Sequence, residues 1–346
     1  MSILCTNRTR RPGFAIAGSL AAIALVMTGL AATLSAHPWN TDCLPDLWVI
    51  ERHRTDSGQT RAHILSGEDI YGAFLVHAST ALSETGTDHS FEFLLGDFDG
   101  DAMQDIYVVQ KTGTRSGRTE VHVLNGADFY RSFLMAGRVT ALGDVGSGSA
   151  WQFQLADFDG DRILDLYAIE KKGSMSGQTE VHVLNGADRF RSFLLHAATT
   201  IAEIGDERSW VFLVNDFSGD GAPDIYALQR TDTWSGQTEV HILDGASWFR
   251  ALLVHAAPTA LAETGGRDDW WFSLADLDGD NVKDLYAVQK LDTVSGRTEV
   301  HVLNGADLFR APLIHGARTP IRETGDDASW IFLATDCKGG TVPGQR

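Results

Sequence analysis

The stretch "DFDGDRILDLYAIEK", residues 157–171, decides how this chain is read. Asp157, Asp159, Asp161 and Asp165 stand at its first, third, fifth and ninth positions, with Gly160 at the fourth, and an apolar run follows at once. Four like charges so close together repel one another, so a loop that holds them needs a cation. Oxygen donors at alternating positions, with a glycine for the sharp turn, suit a hard ion of high coordination number such as calcium.

The cluster recurs. "DFDGDAMQD" begins at Asp97, "DFSGDGAPD" at Asp216 and "DLDGDNVKD" at Asp276, so successive starts lie 60, 59 and 60 residues apart. The intervening sequence repeats too. "SGRTEVHVLNGADFYRSFL" from Ser116 returns with few changes from Ser176, Ser235 and Ser295, and a looser copy starts at Ser57. Each unit divides into four short strands. "WQFQLA" puts Trp151, Phe153 and Leu155 on one face with period two. "DLYAIEK", "TEVHVLN" and "FLLHAATTI" follow, separated by Gly, Asp, Ser and Asn, and no helical period is sustained. Repetition of this kind predicts an all-β, five-bladed propeller with four-stranded blades. Coils of a β-solenoid usually repeat over fewer residues, and separate sixty-residue domains would have marginal cores.

Four blades are predicted at 91–142, 150–203, 209–262 and 269–322. The fifth is split. The chain begins its repeats at a second strand, "TDCLPDLWVI", and ends on a first strand, "SWIFLATDC". Pairing residues 329–337 with 43–82 completes that blade and closes the ring. In this blade no aspartate loop joins strands one and two, and a disulfide between Cys43 and Cys337 is expected in its place.

Residues 1–36 carry three arginines, then a long apolar run, then small residues, the order of a secretory signal cleaved after Ala36; an uncleaved signal anchor is the alternative. Its loss would remove the three arginines and no acids, taking the net charge from −18 to −21. The expectation is a secreted, monomeric 37–346 domain. A chain this acidic should repel nucleic acid and anionic membranes, with no membrane insertion once the signal is gone.

Up to four calcium ions are expected. The side-chain ligands would be Asp97, Asp99, Asp101 and Asp105 in the first loop; Asp157, Asp159, Asp161 and Asp165 in the second; and Asp276, Asp278, Asp280 and Asp284 in the fourth. In the third loop Ser218 replaces one acid, leaving Asp216, Asp220 and Asp224 and the weakest site. The backbone carbonyls of Met103, Ile163, Ala222 and Val282 are further candidates. Asp336, with Asp42 or Asp46, is too little for an ion. Magnesium demands stricter octahedral geometry, and zinc would want histidine or thiolate.

The pattern "FxLADFDGDxxxDLY" across all five units resembles the FG-GAP/VCBS repeat family, the calcium-loop propeller repeats of integrin-type heads and many secreted bacterial proteins. The resemblance implies a propeller, calcium and an extracellular setting. It implies no single activity, since the family hosts adhesion, glycan binding and enzymes. The "SGxTEVHVLxGA" segment is also similar to repeats appended to secreted cell-wall hydrolases.

Other residues recur once per unit. His63, His122, His182, His241 and His301 fall on the third strand, where an inter-blade hydrogen-bond pair or a ligand pocket repeated per blade is expected. His77, His196, His255 and His315 mark an edge strand meeting water. Trp151, Trp210, Trp270 and Trp330 are expected to pack between blades. Trp234, Trp248 and Trp271 each occur in one unit only and are candidates for stacking on a sugar. No catalytic set stands out. The expectation is a binding module for glycans or a cell-surface partner, since repeated surfaces give avidity. The alternatives are a polysaccharide hydrolase or lyase, or an adhesive protein that recognises protein.

Overall fold

The computed structural model describes residues 44–205 and 208–336, and among these the chain is all-β apart from two short 3-10 turns, Gly126–Asp128 and Gly305–Asp307. Five four-stranded antiparallel sheets form a propeller. Blade 2 runs Phe91–Gly96, Asp105–Gln110, Arg118–Leu124, Phe133–Gly143. Blade 3 runs Trp151–Ala156, Asp165–Glu170, Gln178–Leu184, Phe193–Ala202. Blade 4 runs Trp210–Asn215, Asp224–Gln229, Gln237–Leu243, Leu252–Ala262, and blade 5 runs Trp270–Ala275, Asp284–Gln289, Arg297–Leu303, Pro312–Arg322. Strands one to four lie in chain order, with the first strands innermost, against one another.

Blade 1 takes Leu47–Glu51, Gln59–Leu65 and Phe74–Ser83 from one end of the repeat array and Trp330–Ala334 from the other. The closing pair is in register from Leu47 opposite Ala334 to Glu51 opposite Trp330. Beyond it the chain leads to Cys43 and Cys337, which lie outside the described residues, as do Asp42 and the expected signal 1–36.

The core lies between blades. Strand alternation gives each sheet two apolar faces, and five buried clusters result, one at each junction. Phe153, Leu166, Ala168 and Leu184 of blade 3 pack on Tyr107, Val109, Val121 and Val123 of blade 2. Each such large side chain taken fully from water contributes about 1.5–3 kcal/mol. The fourth strands are edges, and Pro258, Pro312 and Pro320 lie there, where a missing N–H is tolerated.

The turn between strands three and four holds two successive non-glycine residues at positive φ, such as Arg189 at 61° and Phe190 at 67°. That backbone costs on the order of 1–3 kcal/mol per residue. The burial of Tyr71, Tyr130, Phe190, Phe249 and Phe309 between blades offsets it. Gly186, which opens this turn in blade 3, is needed for space, because a Cβ there would lie 2.2 Å from the Leu164 carbonyl oxygen.

Candidate functional site

Two faces follow from this topology. One carries the aspartate loops and the strand three-to-four turns. The other carries the loops that lead into each first strand and the strand two-to-three turns.

On the aspartate face the four loops share one hydrogen-bond pattern. In the second loop Asp157 accepts from the N–H groups of Gly160 and Arg162, Asp159 from Asp161, and Asp161 from Ile163. Met103, Ala222 and Val282 likewise donate their N–H to Asp101, Asp220 and Asp280. Oxygens of Asp97, Asp99 and Asp101 gather within 4.8 Å, as do those of Asp157, Asp159 and Asp165, and of Asp276, Asp278 and Asp284. The third loop, with Ser218, forms no such trio among the described residues.

The ninth-position aspartate also locks the blade. Asp165 accepts from Phe158 N–H at 2.8 Å through one oxygen and from Gly186 N–H at 2.7 Å through the other. Burial pushes the carboxyls of Asp105, Asp165 and Asp284 up to about 6, with the neighbouring aspartates adding to it. These hard oxygens, crowded and short of positive charge, fit calcium. Asp46 makes the Gly67 bond in blade 1, while Asp336 turns to Asp276 N–H and Lys283.

On the opposite face the near-identical units diverge at the axis. The aromatic positions 91, 151, 210, 270 and 330, and the phenylalanines at 93, 153, 212, 272 and 332, recur in every blade. Two positions beside them hold five different residues each: His89, Ser149, Arg208, Asp268 and Ala328; and Glu92, Gln152, Val211, Trp271 and Ile331. Three of the first set meet across the axis. Arg208 Nη2 donates to His89 Nδ1 at 2.8 Å, His89 Nε2 lies 3.0 Å from Asp268 Oδ2, and Arg208 Nε lies 2.8 Å from Asp268 Oδ1. Arg208 also sits 5.2 Å over the Trp271 ring. Burial raises the Asp268 carboxyl, but Arg208 and His89 outweigh it and hold it well below the usual carboxylate range. Glu92 accepts from Phe153 N–H at 2.7 Å and lies 3.4 Å from Lys111 Nζ. Glu92 and Arg208, with Gln152, Trp271 and Ser273, line an axial cavity of about 210 Å³.

Around it lies a ring of fully buried cations, one per blade: Arg52, Lys111, Lys171, Arg230 and Lys290. Arg52, Lys111, Arg230 and Lys290 donate to backbone carbonyls of the loops above, as Arg52 does to Ala328 and Asp88 and Lys290 does to Asp327. Burial, helped by Arg208, pushes Lys171 down to about 7. The sequence signal was present in "VIER", "VVQK", "AIEK", "ALQR" and "AVQK", a basic residue at one fixed position in an acidic chain.

Further out, each blade carries its third-strand histidine beside its own first and fourth strands. Their partners are within the blade: His63 meets His77 at 2.7 Å and His182 meets His196 at 2.6 Å, which replaces the expected inter-blade pair. His77, His196, His255 and His315 are exposed, as an edge strand implies. Trp330, Trp151, Trp210 and Trp270 lie against His63, His182, His241 and His301, with ring centroids 5.1–5.9 Å apart. In blade 1 the second and third strands frame a depression of about 340 Å³ lined by Arg61, His63, His77, Ala78 and Ser79. The three unit-specific tryptophans do not converge. Trp234 is fully exposed on a strand two-to-three turn, Trp248 is half-exposed on the opposite face, and Trp271 lines the axis.

No protein-family model matches this chain, and no curated protein matches it. Among solved structures it is similar to the catalytic domain of a Coprinopsis cinerea GH62 alpha-L-arabinofuranosidase, at 9% identity and a TM-score of 0.42 over 74% of this chain and 87% of that one. It is also similar to a Cellvibrio cellulosa alpha-L-arabinanase, at 12% and 0.38 over 77% and 94%, and to a Xanthomonas citri GH43_1 enzyme, at 10% and 0.39 over 86% and 97%. Likeness at this level carries no argument about what this chain binds or cleaves.

Proposed function

We propose that this chain is a secreted, calcium-stabilised propeller that binds glycans at the outer strands of its blades. The carrying observation is the blade 1 depression, where Arg61, His63, His77 and Ser79 offer hydrogen-bonding groups beside Trp330. Its volume falls in the range of small-ligand pockets. Related surfaces in the other blades would add avidity to weak single sites. Calcium acts from the far face, pinning the turns between strands one and two. A Cys43–Cys337 bond, read out as a linked peptide under non-reducing conditions, would do the same for blade 1. A glycan array on the protein in calcium, repeated with Arg61→Ala and His63→Ala, tests the reading. Binding that falls at least tenfold in both folded variants supports it; no binding at high protein concentration overturns it.

A polysaccharide hydrolase or lyase centred on the axis is the second reading. It is favoured by the neighbours Asp268 and Asp269, whose carboxyls are driven apart, the first downward by Arg208 and His89 and the second upward by burial. Against it, both nitrogens of His89 and both oxygens of Glu92 are already engaged. Reducing-end release from a panel of polysaccharides decides it, and silence across the panel removes it.

A further inference from the structure

Blade 3 departs from the other four at one register position. Where the second and third strands face each other beside the third-strand histidine, blade 1 sets Glu51 opposite Arg61. Blades 2, 4 and 5 set an amide opposite a carboxylate: Gln110 and Glu120, Gln229 and Glu239, Gln289 and Glu299. Blade 3 sets Glu170 opposite Glu180. Two like charges directly opposite in an antiparallel pair are destabilising. Four blades avoid the arrangement, so its presence in the fifth points to a cation between the two.

His182 faces both carboxylates. Its Nε2 lies 3.6 Å from Glu170 Oε2 and 3.8 Å from Glu180 Oε2, and this atom is shut away from water with no hydrogen bond. The separations are too long for hydrogen bonding. They are close to the roughly 3.4 Å between two ligands that share one tetrahedral ion at about 2 Å. One atom from each of the three residues lies within 4.8 Å of the others.

The imidazole tautomers separate the blades further. In blades 2, 4 and 5 a backbone N–H from Gly137, Ala256 or Gly316 donates to the histidine Nδ1, which puts the ring proton on Nε2. In blade 3 the Nδ1 of His182 faces His196 Nδ1 instead, at 2.6 Å. His196 can accept the proton of that bond and leave Nε2 bare. A second group that fixes tautomer and ring orientation is the usual companion of a ligating histidine. Blade 1 has the same His63–His77 arrangement, but Arg61 occupies the place of the second carboxylate.

We infer that blade 3 holds one divalent transition ion of the zinc class, ligated by Glu170, Glu180 and Nε2 of His182, with water completing the shell. Imidazole and carboxylate donors select such an ion over calcium. The three side chains are 12–18% exposed, so an ion can reach them from solvent. The inference does not rest on the glycan reading.

Zinc is titrated calorimetrically into the full chain in excess calcium, which keeps the aspartate loops occupied. One equivalent is expected. Glu170→Gln gives blade 3 the pair found in blades 2, 4 and 5 and should weaken binding at least tenfold. Arg61→Glu builds the blade 3 set in blade 1 and should add a second equivalent. Melting curves check that each variant is folded. No zinc binding by the unaltered chain, unchanged binding in Glu170→Gln, or no second equivalent in Arg61→Glu would each overturn the inference.

Discussion

The two faces of this propeller are built from the same five repeats and behave differently. On the aspartate face, copies of one loop do one job: Asp105, Asp165, Asp224 and Asp284 make the same bonds in four blades. On the opposite face, positions that meet at the axis have each become something else, and His89, Arg208 and Asp268 from blades 2, 4 and 5 form one interlocked set. The difference teaches where symmetry is useful. An aspartate loop makes its bonds within its own blade, so the same loop serves in every copy, whereas the residues that lead into the first strands meet residues of other blades and can differ so as to pair with them.

The largest test of this contrast is calcium removal. Chelation should lower the melting temperature strongly, because each loop saturated to a hundred times its dissociation constant contributes about 2.7 kcal/mol. The axial set should be untouched. A melting curve unchanged by chelator would break the comparison at the aspartate face.

Asp268→Ala should come next. It leaves Arg208 half-buried without its carboxylate, at a cost of about 3 kcal/mol read by urea unfolding in saturating calcium. A loss under 0.5 kcal/mol would mean the axial triad is no more than a surface pair.

The third test is a pH dependence. Burial, reinforced by His77, His255 and His315, pulls His63, His241 and His301 down to about 4. Between pH 6.5 and 4 the unfolded chain therefore binds more protons than the folded one. Stability is full above pH 6.5 and is lost as pH falls toward 4. Melting in calcium at pH 7, 5.5 and 4.5 should follow that order, and the His63→Gln variant should make it shallower, with His241 and His301 supplying the remainder. A flat profile in the unaltered chain would remove the histidine contribution.

Much of this was legible in the sequence. Period-two alternation in "WQFQLA" and the returning aspartate cluster marked the strands and their number, and the mismatched ends marked the split blade. The axial set was not legible. His89, Arg208 and Asp268 lie 119 and 60 residues apart, and each looks like drift within its own unit. A usable signal did exist: two positions with five different residues flank aromatic positions kept in every blade. The histidines were seen, but their partners fourteen residues away needed the strand three-to-four register.

The sequence by itself determined the all-β repeat, the number of blades and the way the ends complete a ring. Those follow from local alternation and turn chemistry, which act over a few residues and recur. Only the tertiary structure decided which deviations meet. Ring closure brings the start of every first strand to one axis, a meeting that cannot be read from the spacing of residues along the chain, while the strand two-to-three register inside blade 3 sets Glu170 against Glu180.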